Sequence, residues 1–377
     1  MLRQYVTKNG RTLRCGYTTG ACAAAAAGAA AEMLLGGAAP ETWTLGTPKG
    51  VCLKLDILEP ERGSDYARCA VRKDSGDDPD ITDGVLVFAT VKKTDVGFII
   101  DGGEGIGRVT RAGLDQPVGA AAINSMPRQM ITGQLEAVCA AHGYTGGLAV
   151  TISVPGGEAL AKKTFNPRLG IVGGLSIIGT TGIVEPMSSA ALVDTIKLEL
   201  NVLRKTGATG VALCPGNFGE TFARRKLGID AAHIVSMGNF AGDAVDAAVE
   251  AGFDSILLVG HIGKLVKLGI GARNTHSSSG DGRMETLAAC ALVAGADADL
   301  ARSLLDCATT DAALELLGTA NLLRKTMAEL GRRIQDTLVR WTPECARIGF
   351  VCFSDREPCN RALAKSRNAD ELVRRLK

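Results

Sequence analysis

Apolar and polar positions change rhythm several times along the chain, and each change predicts an element. Residues 18–35 are almost continuously apolar: Thr18 or Thr19 can cap a helix, nine of the eleven residues 21–31 are alanine, and Gly36-Gly37 ends it. A helix with so smooth a surface can lie very close to a sheet. Alternating or β-rich stretches at 51–58, 66–72, 85–91 and 97–101, separated by turn-forming residues, predict that sheet. A helix after Pro127, running to about 141, and a strand over 148–154 complete an α+β domain assigned to residues 1–168.

The texture then changes. An apolar strand over 170–178 runs into Gly179-Thr180-Thr181-Gly182, and a helix over 188–205 follows, with Ser188 as its cap. Strands at 210–214, 233–237 and 255–259 alternate with helices near 219–227 and 242–251, the rhythm of a parallel sheet with crossover helices. The chain is mostly helical over 283–341, then offers a strand over 347–353 and a terminal helix. The expectation is an α/β doubly wound, Rossmann-like domain with C-terminal helices over residues 169–377. Its strands end in Cys214-Pro215-Gly216-Asn217, Met237-Gly238-Asn239 and Gly260-His261, and open sheets of this kind bind ligands outside the carboxyl ends of their strands.

Composition narrows the function. The 377 residues, 46% hydrophobic, exceed the usual single-domain size of roughly 100–200 residues and supply a core for each of two domains. With 42 basic against 40 acidic residues the formal charge is only +2, so no global field recruits nucleic acid. Arg3, Lys8, Arg11 and Arg14 precede the alanine run as in a signal peptide, but alanine is too weakly apolar for that role. The run also reaches Glu32 well short of the roughly 20 apolar residues a membrane span needs. Eleven cysteines without a C-x-x-C pair point to reduced thiols and away from zinc. Cys345, Cys352 and Cys359 recur every seven residues, but Pro343, Pro358 and the apolar run between them forbid one helix carrying all three. A cytoplasmic protein with no membrane or nucleic-acid partner is expected, and its oligomeric state is left open.

Several segments could carry chemistry. Asp74, Asp77, Asp78 and Asp80 fall within seven residues around a glycine and a proline. A solvated turn explains that composition, and so does a rigid presentation of Asp77 and Asp78 as proton acceptors or as partners for N–H groups of a ligand. The run Gly103-Glu104-Gly105-Ile106-Gly107-Arg108 is either a hairpin or a cradle of backbone donors for acidic side chains, helped by Arg108 and Arg111. Arg168 sits at the domain junction, where it can meet a ligand or an interface carboxylate. Over 170–186, Gly174, Gly179, Thr180, Thr181 and Gly182 form the most nucleotide-like element, although a plain strand-turn-helix connection has the same appearance. The densest signal is 259–283, which holds His261, Lys264, Lys267, His276, Asp281 and Arg283 directly after a predicted parallel strand. Two lysines one helical turn apart suit carboxylates, and the histidines suit proton exchange. Without H-E-x-x-H or cysteine spacing, no metal site is expected.

Long segments in order, RCGYTTGACAAAAA from Arg14, KDSGDDPDIT from Lys73, GGEGIGRVTR from Gly102, AAINSMPRQMI from Ala121, and residues 154–170 and 259–283, closely resemble the cobalt-precorrin-5B C(1)-methyltransferase family. The resemblance covers nearly the whole chain and extends to Ser236-Met237-Gly238-Asn239-Phe240, where Met237-Gly238 looks inserted. It implies methyl transfer from S-adenosylmethionine to C-1 of cobalt-precorrin-5B, giving cobalt-precorrin-6A and S-adenosylhomocysteine on the anaerobic route to cobalamin. Cobalt then enters only as part of the substrate. Chemistry assigns His261, His276, Asp77 and Asp78 as candidate proton acceptors, with His261 first. The substrate carboxylates fall to Arg108, Arg168, Lys264, Lys267 and Arg283, helped by Gly103, Glu104 and Gly105. The donor falls to the loop from Gly174 to Gly182, and the two reactants are expected to meet between the domains. Two rivals are a nicotinamide-dependent tetrapyrrole oxidoreductase, which needs a strand-G-x-G-x-x-G-helix, and a non-enzymatic corrinoid carrier, which needs no second ligand site.

Overall fold

The computed structural model describes residues 2–8, 10–355 and 362–377, so Pro358 and Cys359 lie outside the described residues. The chain divides into two compact units, Met1–Ser188 and Ser189–Lys377.

In the first unit a five-stranded sheet runs in the order Leu58–Arg62, Tyr66–Arg72, Leu86–Thr94, Gly147–Ser153, Phe98–Gly102, antiparallel except for the last pair. Helix Thr19–Gly36 packs against Tyr66–Arg72 and Leu86–Thr94 and also against helix Ser125–Ala141. Enclosed in this way it has no polar face, and its nine alanines are all 0% exposed. Small side chains allow the close approach: a Cβ on Gly28 would come within 2.7 Å of the Trp43 ring. The helix is long and apolar enough to cross a membrane by length and composition, yet 83% of it is buried, as in a core helix. The strands and helices predicted for this half are present, but 51–58 corresponds to Cys52–Asp56, which pairs with Thr42–Gly46 outside the main sheet, and the sheet's edge strand Leu58–Arg62 overlaps the prediction only at Leu58.

The expected boundary at residue 168 needs correction. Residues 170–178 do not form a strand of the second unit. Only Ile171–Val172 pairs, with Arg108–Val109; Leu175 and Ile177 bridge Ile106 and Ile123, and Ile183–Val184 pairs with Gly16–Tyr17. Left-handed φ values of 76° at Gly170 and 86° at Gly173 interrupt the expected strand. The apolar residues of this segment are buried, but in the first core, where Leu175, Ile177 and Ile183 belong.

The second unit holds a sheet in the order Ile234–Ser236, Gly210–Cys214, Ser255–His261, Arg347–Phe353, Ala362–Lys365, parallel except for the last strand. Alternate residues face opposite layers. Leu213, Leu258 and Phe350 join a core with helices Ser189–Lys205, Ala241–Glu250 and Leu323–Trp341, whereas Ala212, Val259 and Phe353 join one with Asn217–Arg225 and Ala369–Arg375. Burial on both faces explains why these strands read as unbroken apolar runs. Successive strands leave Gly210–Cys214 in opposite directions across the sheet, toward Ile234–Ser236 and toward Ser255–His261. Cys352 is buried in its strand and Cys345 is exposed, so their spacing defines no common face.

Two glycines test this packing in opposite directions. Gly105 has φ 72°, and an added Cβ would lie 1.9 Å from the Val154 carbonyl oxygen. Gly105→Ala should destabilise the fold by about 1–3 kcal/mol or more. Gly133, inside helix Ser125–Ala141 with open space around a Cβ, should gain about 0.5–1 kcal/mol on Gly133→Ala. Urea unfolding of the two variants checks both signs.

Candidate active site

In the first unit the aspartate turn is a built structure. Arg14 donates through both terminal nitrogens to Asp74 at 2.6 and 2.7 Å, and its backbone N–H donates to Asp77 Oδ2 at 2.7 Å. Asp78 Oδ1 accepts from the Met187 N–H at 2.8 Å, and Asp83 Oδ1 from the Ser75 N–H at 2.7 Å. Lys73, only 3% exposed, donates to Ser75 Oγ at 2.5 Å and Asp80 Oδ2 at 2.6 Å. The Arg14 guanidinium holds the Asp74 carboxyl below its ordinary range. Burial opposes ionisation of Asp80, but Lys73 and the two hydrogen bonds from Thr82 together outweigh it, so that carboxyl is also held low. Asp77 and Asp78 each keep a second oxygen without a protein partner among the described residues.

The glycine loop is largely closed to an anion, contrary to expectation. The N–H groups of Gly103, Ile106 and Gly107 donate to the carbonyls of Ile152, Gly103 and Leu175 at 2.8, 3.2 and 2.8 Å. The Gly105 carbonyl accepts from Leu175, and the Glu104 carbonyl from Val154. Arg108 is committed too: it donates to both oxygens of Asp101 at 2.6 and 2.9 Å and to the Gly102 carbonyl, and it holds the Asp101 carboxyl low. Arg168 lies exposed in Asn166–Leu169, its carbonyl accepting from Arg111 Nη1 at 3.2 Å.

The loop expected to hold a nucleotide-like donor does not open a helix of its own. It closes over the amino end of Thr19–Gly36. The Gly182 carbonyl accepts from Thr18 N–H at 3.0 Å, the Ile178 carbonyl from Gly20 N–H at 3.0 Å, and the Thr181 carbonyl from Lys49 N–H at 3.2 Å. The Gly174 carbonyl accepts from Asn166 Nδ2 at 2.9 Å, and a Cβ on Gly179 would lie 2.3 Å from Thr18 Oγ1. Thr181 Oγ1 donates back to Ile183, and Thr180 is exposed.

In the second unit the predicted residues of 259–283 gather at the carboxyl edge of the parallel strands. His261 ends Ser255–His261, and its Nδ1 accepts from the Gly263 N–H at 3.1 Å, capping Ile262–Leu265. Its ring stands edge-on to Phe353, centroids 5.7 Å apart. His276 repeats the device, with Nδ1 accepting from the Ser278 N–H at 3.1 Å. A ring whose Nδ1 accepts carries its neutral-state proton on Nε2, so taking up another proton breaks the cap.

The two lysines do not share a target. Lys267, 3% exposed, donates to the Gly280 carbonyl at 3.3 Å and lies 3.5 Å from Asp281. Arg283 donates to both oxygens of Asp281 at 2.5 and 2.8 Å, and this pairing pulls the Asp281 carboxyl down to about 2. Lys264 instead donates to Asn239 Oδ1, whose residue follows Ile234–Ser236 and accepts at its carbonyl from the Thr275 N–H at 2.8 Å. Burial, then Lys267 and Arg283, push the Lys264 ammonium below its ordinary pKa. Met237, which looked inserted, is fully buried, and Gly238 takes φ 53° to turn the chain into Asn239.

Arg14, Lys73, Asn239 and Thr275 join these clusters without having been candidates; Arg14 and Lys73 open two of the family-like segments, Asn239 lies in a strand-end loop and Thr275 in 259–283, and those positions are the signals that could have found them. Burial pushes the thiols of Cys22, Cys69 and Cys352 up to about 12, which leaves them protonated. Two surface cavities of about 460 and 410 Å³, beside Arg224 and Arg225 and beside Arg324 and Met327, include none of the predicted site residues.

Residues 6–186 match the family model described as CbiD, and residues 274–360 match the model described as CbiD, C-terminal domain. A relative from Ruminiclostridium cellulolyticum named cobalt-precorrin-5B C(1)-methyltransferase is 44% identical over 377 residues, covering 100% of this chain and 98% of its own. A relative of the same name from Thermoanaerobacter is 46% identical over 326 residues, 86% of this chain and 88% of its own. A crystal structure of the cobalamin biosynthesis protein CbiD from Archaeoglobus fulgidus, 29% identical, covers 71% of this chain and 84% of that one with a TM-score of 0.39. With both family models matched and 44% identity sustained along its whole length, the chain belongs to the CbiD family.

Proposed function

We propose that this protein methylates C-1 of cobalt-precorrin-5B in cobalamin biosynthesis, with S-adenosylmethionine as the donor and cobalt-precorrin-6A as the product. The observation that carries the reading is the 44% identity over 377 residues to a relative bearing that enzyme's name. The oxidoreductase alternative loses support because the glycine-threonine loop is not a strand-turn-helix. We read the second unit, with helices on both faces of its sheet, as doubly wound and Rossmann-like, and we assign the donor to its carboxyl edge instead of the loop from Gly174 to Gly182.

The bound donor supplies an electrophilic methyl group on sulfur. The chain's task is to align C-1 with that group and exclude water, since the carbon–carbon bond forms as the carbon–sulfur bond breaks and its electron pair stays on sulfur. The methyl group brings one positive charge onto the macrocycle, which proton loss discharges. His261 and His276 have their ring acceptors engaged in caps, whereas Asp77 and Asp78 can accept through an open oxygen. We therefore move the acceptor role to the aspartates and treat His261 as a positioning residue. We keep Arg168, on its exposure in Asn166–Leu169, and Lys264, on its bond to a neutral oxygen, as holders of ligand carboxylates. Arg108 is engaged with Asp101, and Lys267 and Arg283 with Asp281, so these three hold their own loops.

Anaerobic incubation of the purified protein with cobalt-precorrin-5B and S-adenosylmethionine should yield a tetrapyrrole heavier by one methyl group and S-adenosylhomocysteine; mass spectrometry without that gain contradicts the assignment. Asp78→Asn keeps an acceptor for the Met187 N–H but removes the base, and should lower kcat about 100-fold or more. His261→Asn keeps a good helix cap and should stay within a few-fold of the unsubstituted protein; a loss as large as that of Asp78→Asn would return the acceptor role to the imidazole. The Asp281 clamp predicts a pH dependence. Its folded-state pKa lies below the unfolded value of about 3.9, so its stabilisation is present above about pH 4 and is lost as pH falls toward 2. Urea unfolding across that window should show a shallower acid decline for Asp281→Asn.

A further inference from the structure

We propose that Lys264 Nζ and the side-chain amide of Asn239 together form a receptor for one ligand carboxylate at the carboxyl edge of the second unit's parallel strands. The choice of ligands rests on the methyl-transfer reading. Three cations, Lys264, Lys267 and Arg283, crowd this edge, and among the described residues Asp281 pairs with Lys267 and Arg283 and not with Lys264. Lys264 has no carboxylate partner among the described residues, and its bond goes to the neutral oxygen of Asn239. An ammonium withdrawn from water beside two other cations is electrostatically incomplete, and an incoming anion would complete it.

Asn239 is held to suit. Its carbonyl accepts from the Thr275 N–H at 2.8 Å, and Thr275 is 1% exposed. Lysine can only donate, so Oδ1 of Asn239 must face Nζ, which leaves the two Nδ2 hydrogens beside the ammonium. Nδ2 has no partner among the described residues. An ammonium from the helical turn after Ser255–His261 and an amide N–H from the loop after Ile234–Ser236 match the two oxygens of a carboxylate. That chemistry has two sources here: the amino-acid carboxylate of the methyl donor, and an acidic side chain of the tetrapyrrole.

Calorimetry on the full chain separates them, with S-adenosylhomocysteine, its decarboxylated analogue and cobalt-precorrin-5B as ligands. Lys264→Met should weaken one carboxylate ligand about 10- to 100-fold while leaving the decarboxylated analogue unchanged, and Lys264→Arg should restore most of the loss. Asn239→Asp, which neutralises Lys264 from within, should weaken the same ligand with no loss of thermal stability. Weakening confined to S-adenosylhomocysteine assigns the receptor to the donor; weakening confined to cobalt-precorrin-5B assigns it to the substrate. Unchanged affinities in both variants, or equal loss for all three ligands, overturn the receptor. Failure of the unsubstituted protein to bind S-adenosylhomocysteine overturns the donor assignment alone, because the tetrapyrrole arm still decides the receptor; failure to bind either overturns both.

Discussion

Helix Thr19–Gly36 is buried from its first turn, where the leading backbone N–H groups have no partner within a helix and no water to replace one. Thr18 Oγ1 accepts one of them, from Ala21, at 3.1 Å. The Gly20 N–H goes to the Ile178 carbonyl, and Thr19 Oγ1 accepts from the Ile178 N–H at 3.0 Å. Residues 178–182 are therefore recruited to finish a helix that starts at Thr19, 159 residues before Ile178, and they must reach it across the primary structure. The aspartate turn secures the same arrangement, since Asp74 and Asp77 hold Arg14 while Asp78 holds Met187.

This constraint accounts for the largest departure from expectation. A glycine-threonine loop between an apolar run and a helix looks like a cofactor cradle because such cradles expose backbone N–H groups. Here backbone groups of the loop are spent on the buried helix end and on Lys49, and its glycines give room to Thr18 and Thr47. The neighbouring run from Gly103 to Arg108 behaves alike, with glycines that permit backbone-to-backbone packing.

At the carboxyl edge of the second unit, charge is also used mainly inside the protein. Asp281 gathers Lys267 and Arg283 into a clamp on residues 280–283, and His261 and His276 cap the turns that follow them. Lys264 is the member of the group left facing a neutral oxygen. A charged side chain in a candidate site is informative only once its internal partners are known, because pairing removes both its field and its donors.

Periodicity decided the elements. Alternation and apolar runs located the strands of both main sheets except the two edges Leu58–Arg62 and Ala362–Lys365, and the alanine run located the buried helix with its threonine cap and glycine stop. Long shared segments pointed to the family. Those features are local in the chain and follow from backbone geometry and burial. Which core received residues 170–184, which aspartate caps Met187, and which lysine meets Asp281 instead of Asn239 were decided only in three dimensions. A hydrogen bond or ion pair depends on distances of a few ångströms between residues that stand far apart in the chain, and residue type alone does not specify its partner.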